Sequence, residues 1–252
     1  MADTSDAALT RIEAGYADAR GLRVALSPYL FRSMLVGMGA VAVVLDRVTR
    51  RRDLTWSFAK ARARDLARLL GVEVTVRGAE HLASGGPFVI TPNHQSHLDI
   101  LALLGFLPGR TRFAAKRELW RHPVVGGVLD TLDMVPIDRE NPDVAIAALA
   151  RADGEAGSLV VFPEGTRSRD GQLREFKKGA FVLAIRAGLP VVPVICRGTR
   201  RLMPRGSRLT VVPGPVELVV EAPIPTAGLG YDDRDALAAR VRAVIERHHT
   251  GW

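Results

Sequence analysis

The sequence predicts an α/β fold in which a mainly parallel mixed sheet is flanked by helices and preceded by a pair of N-terminal helices. From Val72 onwards, short apolar runs alternate with stretches of helical spacing. The runs are apolar at consecutive positions, which is typical of strands buried on both faces. The first seventy residues differ, because an uncharged run is followed there by an Arg-rich stretch. We therefore divide the chain into a helical segment, residues 1–70, and an α/β domain, residues 71–252.

The predicted strands and helices of the α/β domain can be identified from its apolar runs. In chain order these are VEVTVRG, PFVITPN, HLDILALLGFL, RFAAK, SLVVFPEG, KKGAFVLAIRAG, LPVVPVICRG and LTVVPGPVELVVEAP. The closing segment from Tyr231 to His249 has helical spacing, with Leu237, Val241 and Ile245 among its apolar positions. Because helices alternate with the strands, we expect crossover connections and mainly parallel pairing.

The first seventy residues predict two helices. Ser33 to Leu45 is a run of thirteen residues without a charge, shorter than the ~20 residues that span a bilayer. The following stretch is rich in Arg, contains Trp56 and Phe58, and ends at Gly71 as a helix often does. An apolar helix followed by a basic, aromatic one is typical of a monotopic anchor on an anionic membrane surface. A surface helix pair with a solvated basic face is the alternative.

Composition narrows the partners and the compartment. The formal charge is +8, from 35 Lys and Arg against 27 Asp and Glu, so an acidic partner is expected. Nucleic acid is disfavoured, because aromatic residues are few and no recognition motif is present. The single Cys196 excludes an internal disulfide, and Asp3, Asp6 and Arg11 interrupt any signal-peptide run. We expect a peripheral or monotopic protein on the cytoplasmic face of the cell membrane.

A His and an Asp lie in the connection between one strand and one helix. Val89 to Thr91 end a strand and Leu98 begins an apolar helix, so His94 and Asp99 lie where α/β sheets place ligand sites. An imidazole held by a carboxylate can take a proton from an alcohol as it attacks a thioester. Such a pair is the base and orienter of a serine hydrolase without the serine, because the substrate brings its own hydroxyl.

A second group of residues could bind a phosphate. The strand SLVVF leads into the turn PEGTRS, residues 163–168, whose Gly165 lets backbone N–H groups approach a ligand and whose Arg167 can fork onto a phosphate. Arg139 offers a second guanidinium, and Lys177 either extends this clamp or begins a solvated helix. A later cluster could grip the phosphates of coenzyme A, touch anionic lipid or form a solvated loop. Its members are Arg197, Arg200, Arg201, Arg205 and Arg208.

Other chemistries fit the central residues less well. His94, His97 and Asp99 could bind a metal, but no further ligand has a suitable spacing, so we expect none. No Gly-x-Ser-x-Gly elbow occurs, which disfavours a serine hydrolase. Cys196 lies in an apolar run, where a buried inert thiol is far commoner than a nucleophile.

Four segments resemble, in chain order, the four motifs of the glycerol-phosphate and lysophosphatidic acid acyltransferases, the PlsC-type glycerolipid acyltransferase family. These segments are NHQSHLD, MVPIDR, FPEGTRS and LPVVPVICRG. The resemblance extends from Gly71 to Pro225, and the first and third motifs match closely. The second motif departs from the usual pattern, with Asp133 where a Gly is common and Pro136 where an aromatic is common.

The resemblance implies transfer of a fatty acyl group from acyl-CoA or acyl carrier protein to a lysophospholipid acceptor, 1-acylglycerol 3-phosphate, in phospholipid biosynthesis and without a cofactor. His94 would be the general base and Asp99 its partner, Arg139 would bind the acceptor's phosphate, and Pro193 would shape the acyl-binding side. The remaining residues implied for substrate binding are Glu164, Gly165, Thr166, Arg167 and Lys177. Three alternatives stay open: another lysophospholipid or glycerol 3-phosphate as acceptor, a lipid hydrolase with the same pair, and a non-catalytic lipid-binding relative.

Overall fold

The computed structural model describes residues 21–83, 86–137 and 157–249. Within these ranges the chain forms a seven-stranded sheet with helices on both faces. The strands are β1 (Val72–Arg77), β2 (Val89–Pro92), β3 (Thr111–Lys116), β4 (Val135–Ile137), β5 (Ser158–Val160), β6 (Val191–Arg197) and β7 (Gly214–Val220). The helices are α1 (Leu22–Thr49), α2 (Arg52–Leu70), α3 (Glu80–Ala83), α4 (Leu98–Phe106), α5 (Pro123–Thr131), α6 (Gly179–Ala187), α7 (Thr199–Leu202) and α8 (Arg234–His249). Short 3-10 turns precede α5 and α8 at Arg117–Arg121 and Tyr231–Asp233.

The order of the strands explains how distant motifs come together. The sheet order is β1-β7-β6-β2-β5-β3-β4, and among the described strand pairs β6–β7 is antiparallel and the others are parallel. The prediction of a mainly parallel mixed sheet flanked by helices is confirmed. Because β2, β5 and β6 are parallel neighbours, their carboxyl ends lie at the same edge, where such sheets place ligand sites. The segments NHQSHLD, FPEGTRS and the end of LPVVPVICRG follow those three strands.

The two faces of the sheet pack against separate helical layers. Along β2, Val89 contacts one hydrophobic cluster and Ile90 the other, since successive strand side chains point to opposite faces. The cluster around Ile90 includes side chains of α2 and α4, and the cluster around Val89 includes those of α6 and α8. Strands buried on both faces were predicted from the continuous apolar runs, and β2 and β6 have this burial.

α1 and α2 form the predicted N-terminal pair and run antiparallel. Near the start of α1, Arg23 donates from Nε to Leu69 O at 3.0 Å and from Nη2 to Arg68 O at 3.1 Å, both at the end of α2. On its other face, α2 buries Leu66 and Leu70 in the core of the domain. The second half of the segment predicted as residues 1–70 therefore shares its hydrophobic core with the sheet.

α1 is longer than the uncharged run from which it was predicted. It has 28 residues, about 42 Å at 1.5 Å per residue. By length and composition it is apolar enough to cross a membrane, and 17% of its apolar 18-residue stretch is buried inside the protein. Its most exposed large apolar side chains are Tyr29, Leu35, Val36, Val44 and Val48. The uncharged run from Ser33 to Leu45 predicted too short a helix, because a helix continues past charged residues at either end of an apolar run.

Some basic residues of α2 bind the protein itself. Lys60 donates to Leu107 O, and Arg64 donates from Nε to Gly105 O at 2.6 Å, so both satisfy carbonyls at the end of α4. Burial, followed by the charge of Arg64, lowers the pKa of Lys60. Part of the positive charge that predicted a lipid contact therefore fastens α2 to α4.

Candidate active site

The His94 and Asp99 side chains meet at the carboxyl end of β2. Asp99 lies in the first turn of α4, and its Oδ2 is 2.9 Å from His94 Nδ1. The same Oδ2 accepts hydrogen bonds from Gln95 N at 2.7 Å and Ser96 N at 2.8 Å, so the loop wraps its backbone around the carboxylate. With Nδ1 donating to Asp99, the imidazole has Nε2 for proton transfer.

An aromatic ring fixes the imidazole from one side. The ring of Phe162 stacks on His94 with centroids 3.9 Å apart and planes inclined by 24°. Phe162 in turn stacks on Phe113 of β3, at 6.5 Å between centroids. The His94 side chain keeps 12% of its surface exposed, whereas Asp99 is fully buried. The imidazole is therefore held on one face by Phe162 and at Nδ1 by Asp99.

The turn after β5 holds the backbone of His94 at both of its polar atoms. Glu164 Oε1 accepts from His94 N at 2.7 Å, and Ser168 N donates to His94 O at 2.8 Å. The second oxygen of Glu164 accepts from Arg174 N at 3.0 Å. Glu164 is 2% exposed, and burial raises the pKa of its carboxyl group, opposed by these two backbone hydrogen bonds. The resemblance implied an acceptor contact for Glu164, whereas here its carboxylate contacts the protein backbone.

The same turn brings three of the predicted substrate residues together. Gly165 has a φ of +68°, and a Cβ there would lie 2.7 Å from Lys177 Nζ, so glycine lets Lys177 lie over the turn. Arg167 is half-buried, and its charge interacts with Asp99. Burial, followed by the nearby charge of Arg205, lowers the pKa of Arg167, although a guanidinium stays protonated at neutral pH. A positive charge therefore lies beside His94 and Asp99, the pair called the dyad below.

Pro193 and Thr166 make no hydrogen bond, ion pair or ring contact with His94 or Asp99 within the described residues. Pro193 is buried in β6 beside Thr91 of β2, and its carbonyl accepts from Glu221 N at 3.0 Å. Thr166 is half-buried within the turn, and Arg139 lies outside the described residues. The substrate-binding roles of these three residues stay predictions.

Comparison with known proteins assigns this arrangement to a family. The family model described as acyltransferase matches residues 73–197. The 1-acyl-sn-glycerol-3-phosphate acyltransferase of Cocos nucifera is 32% identical over 222 residues, which cover 83% of this chain and 71% of that protein. This chain belongs to the 1-acyl-sn-glycerol-3-phosphate acyltransferase family. The resemblance inferred from the four motifs is thereby confirmed.

Further members of the acyltransferase family extend the likeness. The human 1-acyl-sn-glycerol-3-phosphate acyltransferase alpha is 38% identical over 189 residues, covering 69% of this chain and 62% of that protein. The chain thus spans less than two thirds of the length of this relative. The crystal structure of PlsC, the 1-acyl-sn-glycerophosphate (LPA) acyltransferase from Thermotoga maritima, matches with a TM-score of 0.75 at 29% identity, covering 91% of this chain and 95% of that one.

The site also contains residues for which the sequence predicted no role. Asn93 is fully buried, and its amide pairs with Cys196 of β6 at both backbone polar atoms, at 3.1 Å and 2.7 Å. Ser96 Oγ donates to Met203 O at 2.7 Å. Asn93 and Phe162 are the first residues of the segments NHQSHLD and FPEGTRS. Their place in these motifs is the sequence signal that could have assigned them to the site. Their partners could not be found by spacing, because Asn93 and Cys196 are 103 positions apart.

Burial keeps two further groups near the site neutral. Burial, followed by the charges of Arg167 and His94, lowers the pKa of His97 to about 4. Burial raises the pKa of the Cys196 thiol, which is fully enclosed, so it remains protonated as the sequence led us to expect. Across the described ranges, no three His, Cys, Asp or Glu side chains come close enough to hold a metal ion. That the protein uses no metal stays a prediction.

We predict that Glu164→Gln lowers kcat while leaving the KM for the acceptor unchanged. Gln offers one carbonyl oxygen, so one of the two backbone N–H groups loses its acceptor, at a cost of about 1–3 kcal/mol for a buried unpaired group. Steady-state kinetics with the acceptor varied would measure both constants, and the exposed neighbour Glu175→Gln is the matched control. A raised KM for the acceptor with kcat intact would instead support the acceptor contact implied by the resemblance.

Proposed function

We propose that this protein is an O-acyltransferase that moves a fatty acyl group from an acyl thioester to the hydroxyl of 1-acylglycerol 3-phosphate, giving phosphatidic acid. The observation that carries the proposal is the oriented pair of His94 and Asp99, with Nδ1 bound to a buried carboxylate at 2.9 Å. A base held in this way needs a substrate hydroxyl to activate. The family membership supplies the acceptor that we favour.

The two ring nitrogens of His94 have different roles in the proposed reaction, because Nδ1 is bonded to Asp99 and Nε2 transfers the proton. Nε2 of His94 removes the proton of the acceptor hydroxyl while its oxygen bonds to the thioester carbonyl carbon. The carbonyl oxygen carries negative charge in the tetrahedral intermediate, which then collapses and breaks the carbon–sulfur bond. The leaving thiolate takes the proton back from the imidazolium, so the base is regenerated and no acyl group is attached to the protein. Asp99 stabilises the imidazolium between these two proton transfers.

Charge near the dyad supports a phosphate-bearing acceptor. Arg167 lies within the turn that holds the His94 backbone, and Arg205 donates from Nη1 to Arg167 O at 2.9 Å. The two guanidinium charges are close enough to influence each other. A phosphate with two negative charges would relieve that repulsion and could accept from both groups. Arg139 remains part of the proposal as a further phosphate ligand.

The substrates suggest where the protein works. Both lipids partition into a bilayer, and α1 exposes apolar side chains over much of its length. We infer that α1 associates with an anionic membrane surface on the cytoplasmic face, where acyl-CoA and acyl carrier protein are found. The donor is the thioester of one of these two carriers.

Replacement of His94 tests the base directly. We expect His94→Ala to lower acyl transfer by about 10²–10⁴-fold, the usual worth of a general base. Labelled acyl-CoA and 1-acylglycerol 3-phosphate in detergent micelles would be used, with His122→Ala as a control that removes an exposed imidazole. Release of free fatty acid without the acceptor would identify a hydrolase, and near-normal transfer by a folded His94→Ala would refute the mechanism.

Replacement of Arg167 tests the acceptor. We expect Arg167→Ala to raise the KM for 1-acylglycerol 3-phosphate by about 10–100-fold, the effect of losing a hydrogen bond to a charged group. The KM for monoacylglycerol, which lacks the phosphate, should not change. Arg169→Ala removes the same charge from an exposed position in the same loop and serves as the control. An effect confined to the acyl donor would place the acceptor's phosphate elsewhere.

A charge on α1 tests the membrane contact. Val36 is 62% exposed, so Val36→Glu should leave folding intact while it weakens flotation with vesicles of phosphatidylglycerol and phosphatidylcholine. The control is Tyr231→Glu, which adds the same charge at a residue that is 61% exposed on the opposite helical layer. This control should float like the wild-type protein. If both variants floated like the wild-type protein, the outward face of α1 would not be the membrane contact.

A further inference from the structure

The oxygen of Asp99 that faces away from His94 has a partner of its own. Thr199 Oγ1 donates to Asp99 Oδ1 at 2.5 Å. Both residues are fully buried. The single hydroxyl proton of Thr199 is therefore directed at the carboxylate on which the candidate base depends. Nothing in the spacing of the motifs indicates this contact, since the two residues are 100 positions apart.

The backbone after β6 is shaped to deliver Thr199 to this position. Gly198 turns the chain at a φ of +83°, and a Cβ there would lie 2.5 Å from Pro215 O, so only glycine fits. Thr199 then begins α7. The backbone on either side of Thr199 is held by the His94 loop, through the amide of Asn93 and the hydroxyl of Ser96. Three side chains of the loop are thus fixed by one short segment.

We propose that Thr199 is a positioning residue for the His94 base. A carboxylate bonded through one oxygen alone can rotate about its Cβ–Cγ bond, whereas bonds to both oxygens fix its plane and hold the imidazole that it orients. The hydroxyl also draws negative charge towards Oδ1 and away from Oδ2. This inference rests on the proposed function in one respect, namely that His94 removes the proton of the acceptor.

Other titratable groups act on the same pair, and the Thr199 hydroxyl, whose single proton is donated to Asp99, donates to none of them. His97 lies in the same loop and is neutral above its pKa of about 4. Glu164 and Arg167 reach the pair from the turn after β5, and the Cys196 thiol reaches Asp99 from β6. A change in the titration of His94 on removal of the Thr199 hydroxyl therefore reports on the bond to Asp99.

The kinetic experiment compares Thr199→Val, which keeps the shape and loses the hydroxyl, with Thr199→Ser, which keeps the hydroxyl. We expect Thr199→Val to lower kcat by about tenfold, the effect of one hydrogen bond to a charged group, with both KM values unchanged. Thr199→Ser should retain most of the activity. Thr226 is a buried threonine whose hydroxyl donates to Leu189 O at 3.0 Å, so Thr226→Val is the control for general destabilisation. If Thr199→Val does not fold, Thr199→Ala gives the same comparison.

The titration of His94 is measured without substrate, by NMR of isotope-labelled histidine in detergent, with His94→Gln to assign the signal. Loss of the hydroxyl leaves more negative charge on Oδ2, so we expect the pKa of His94 to rise in Thr199→Val and to return in Thr199→Ser. An unchanged titration, or equal losses of kcat in the Val and Ser variants, would overturn the proposal. A wild-type protein without transferase activity would overturn the proposed function alone, because the titration would still decide the role of Thr199.

Discussion

A carboxylate without exposed surface is costly unless hydrogen bonds match its charge, and this constraint shapes the site around Asp99. Oδ2 accepts hydrogen bonds from the imidazole of His94 and from two backbone N–H groups, and Oδ1 accepts one from the Thr199 hydroxyl. The loop that supplies the first set follows β2, and Thr199 follows β6. The pairing of these two parallel strands, with Thr91 beside Pro193, therefore places Thr199 against Asp99.

The turn after β5 combines residues that hold the His94 backbone with more exposed residues that include a positive charge. Its two ends, Glu164 and Ser168, bond to the backbone of His94, while Gly165 and Arg167 between them are more exposed. The motif FPEGTRS thus places a positive charge at a fixed position relative to the base. Phe162 adds a hydrophobic wall to the imidazole, so each part of the motif contacts either the base or its surroundings.

The sequence predicted those features that depend on local pattern. Continuous apolar runs predicted the buried strands, and the change from strand to helix between Thr91 and Leu98 predicted where the dyad lies. The contact of Thr199 with Asp99 and the backbone role of Glu164 were not predicted, because both depend on which strands are neighbours in the sheet. The length of α1 was underestimated because charges at its ends, such as Arg23, bind neighbouring structure and do not stop the helix.

The two N-terminal helices differ in how they are attached to the site, because α2 is bonded to α4. Lys60 and Arg64 donate hydrogen bonds to carbonyls at the end of the helix whose first turn carries Asp99, so α2 is fastened to that helix. Among the described residues, the exposed apolar side chains of α1 make no such attachment. Substitutions on that face of α1 can therefore accumulate without moving α4, whereas a change on the inner face of α2 would also have to be accommodated by the helix that carries Asp99.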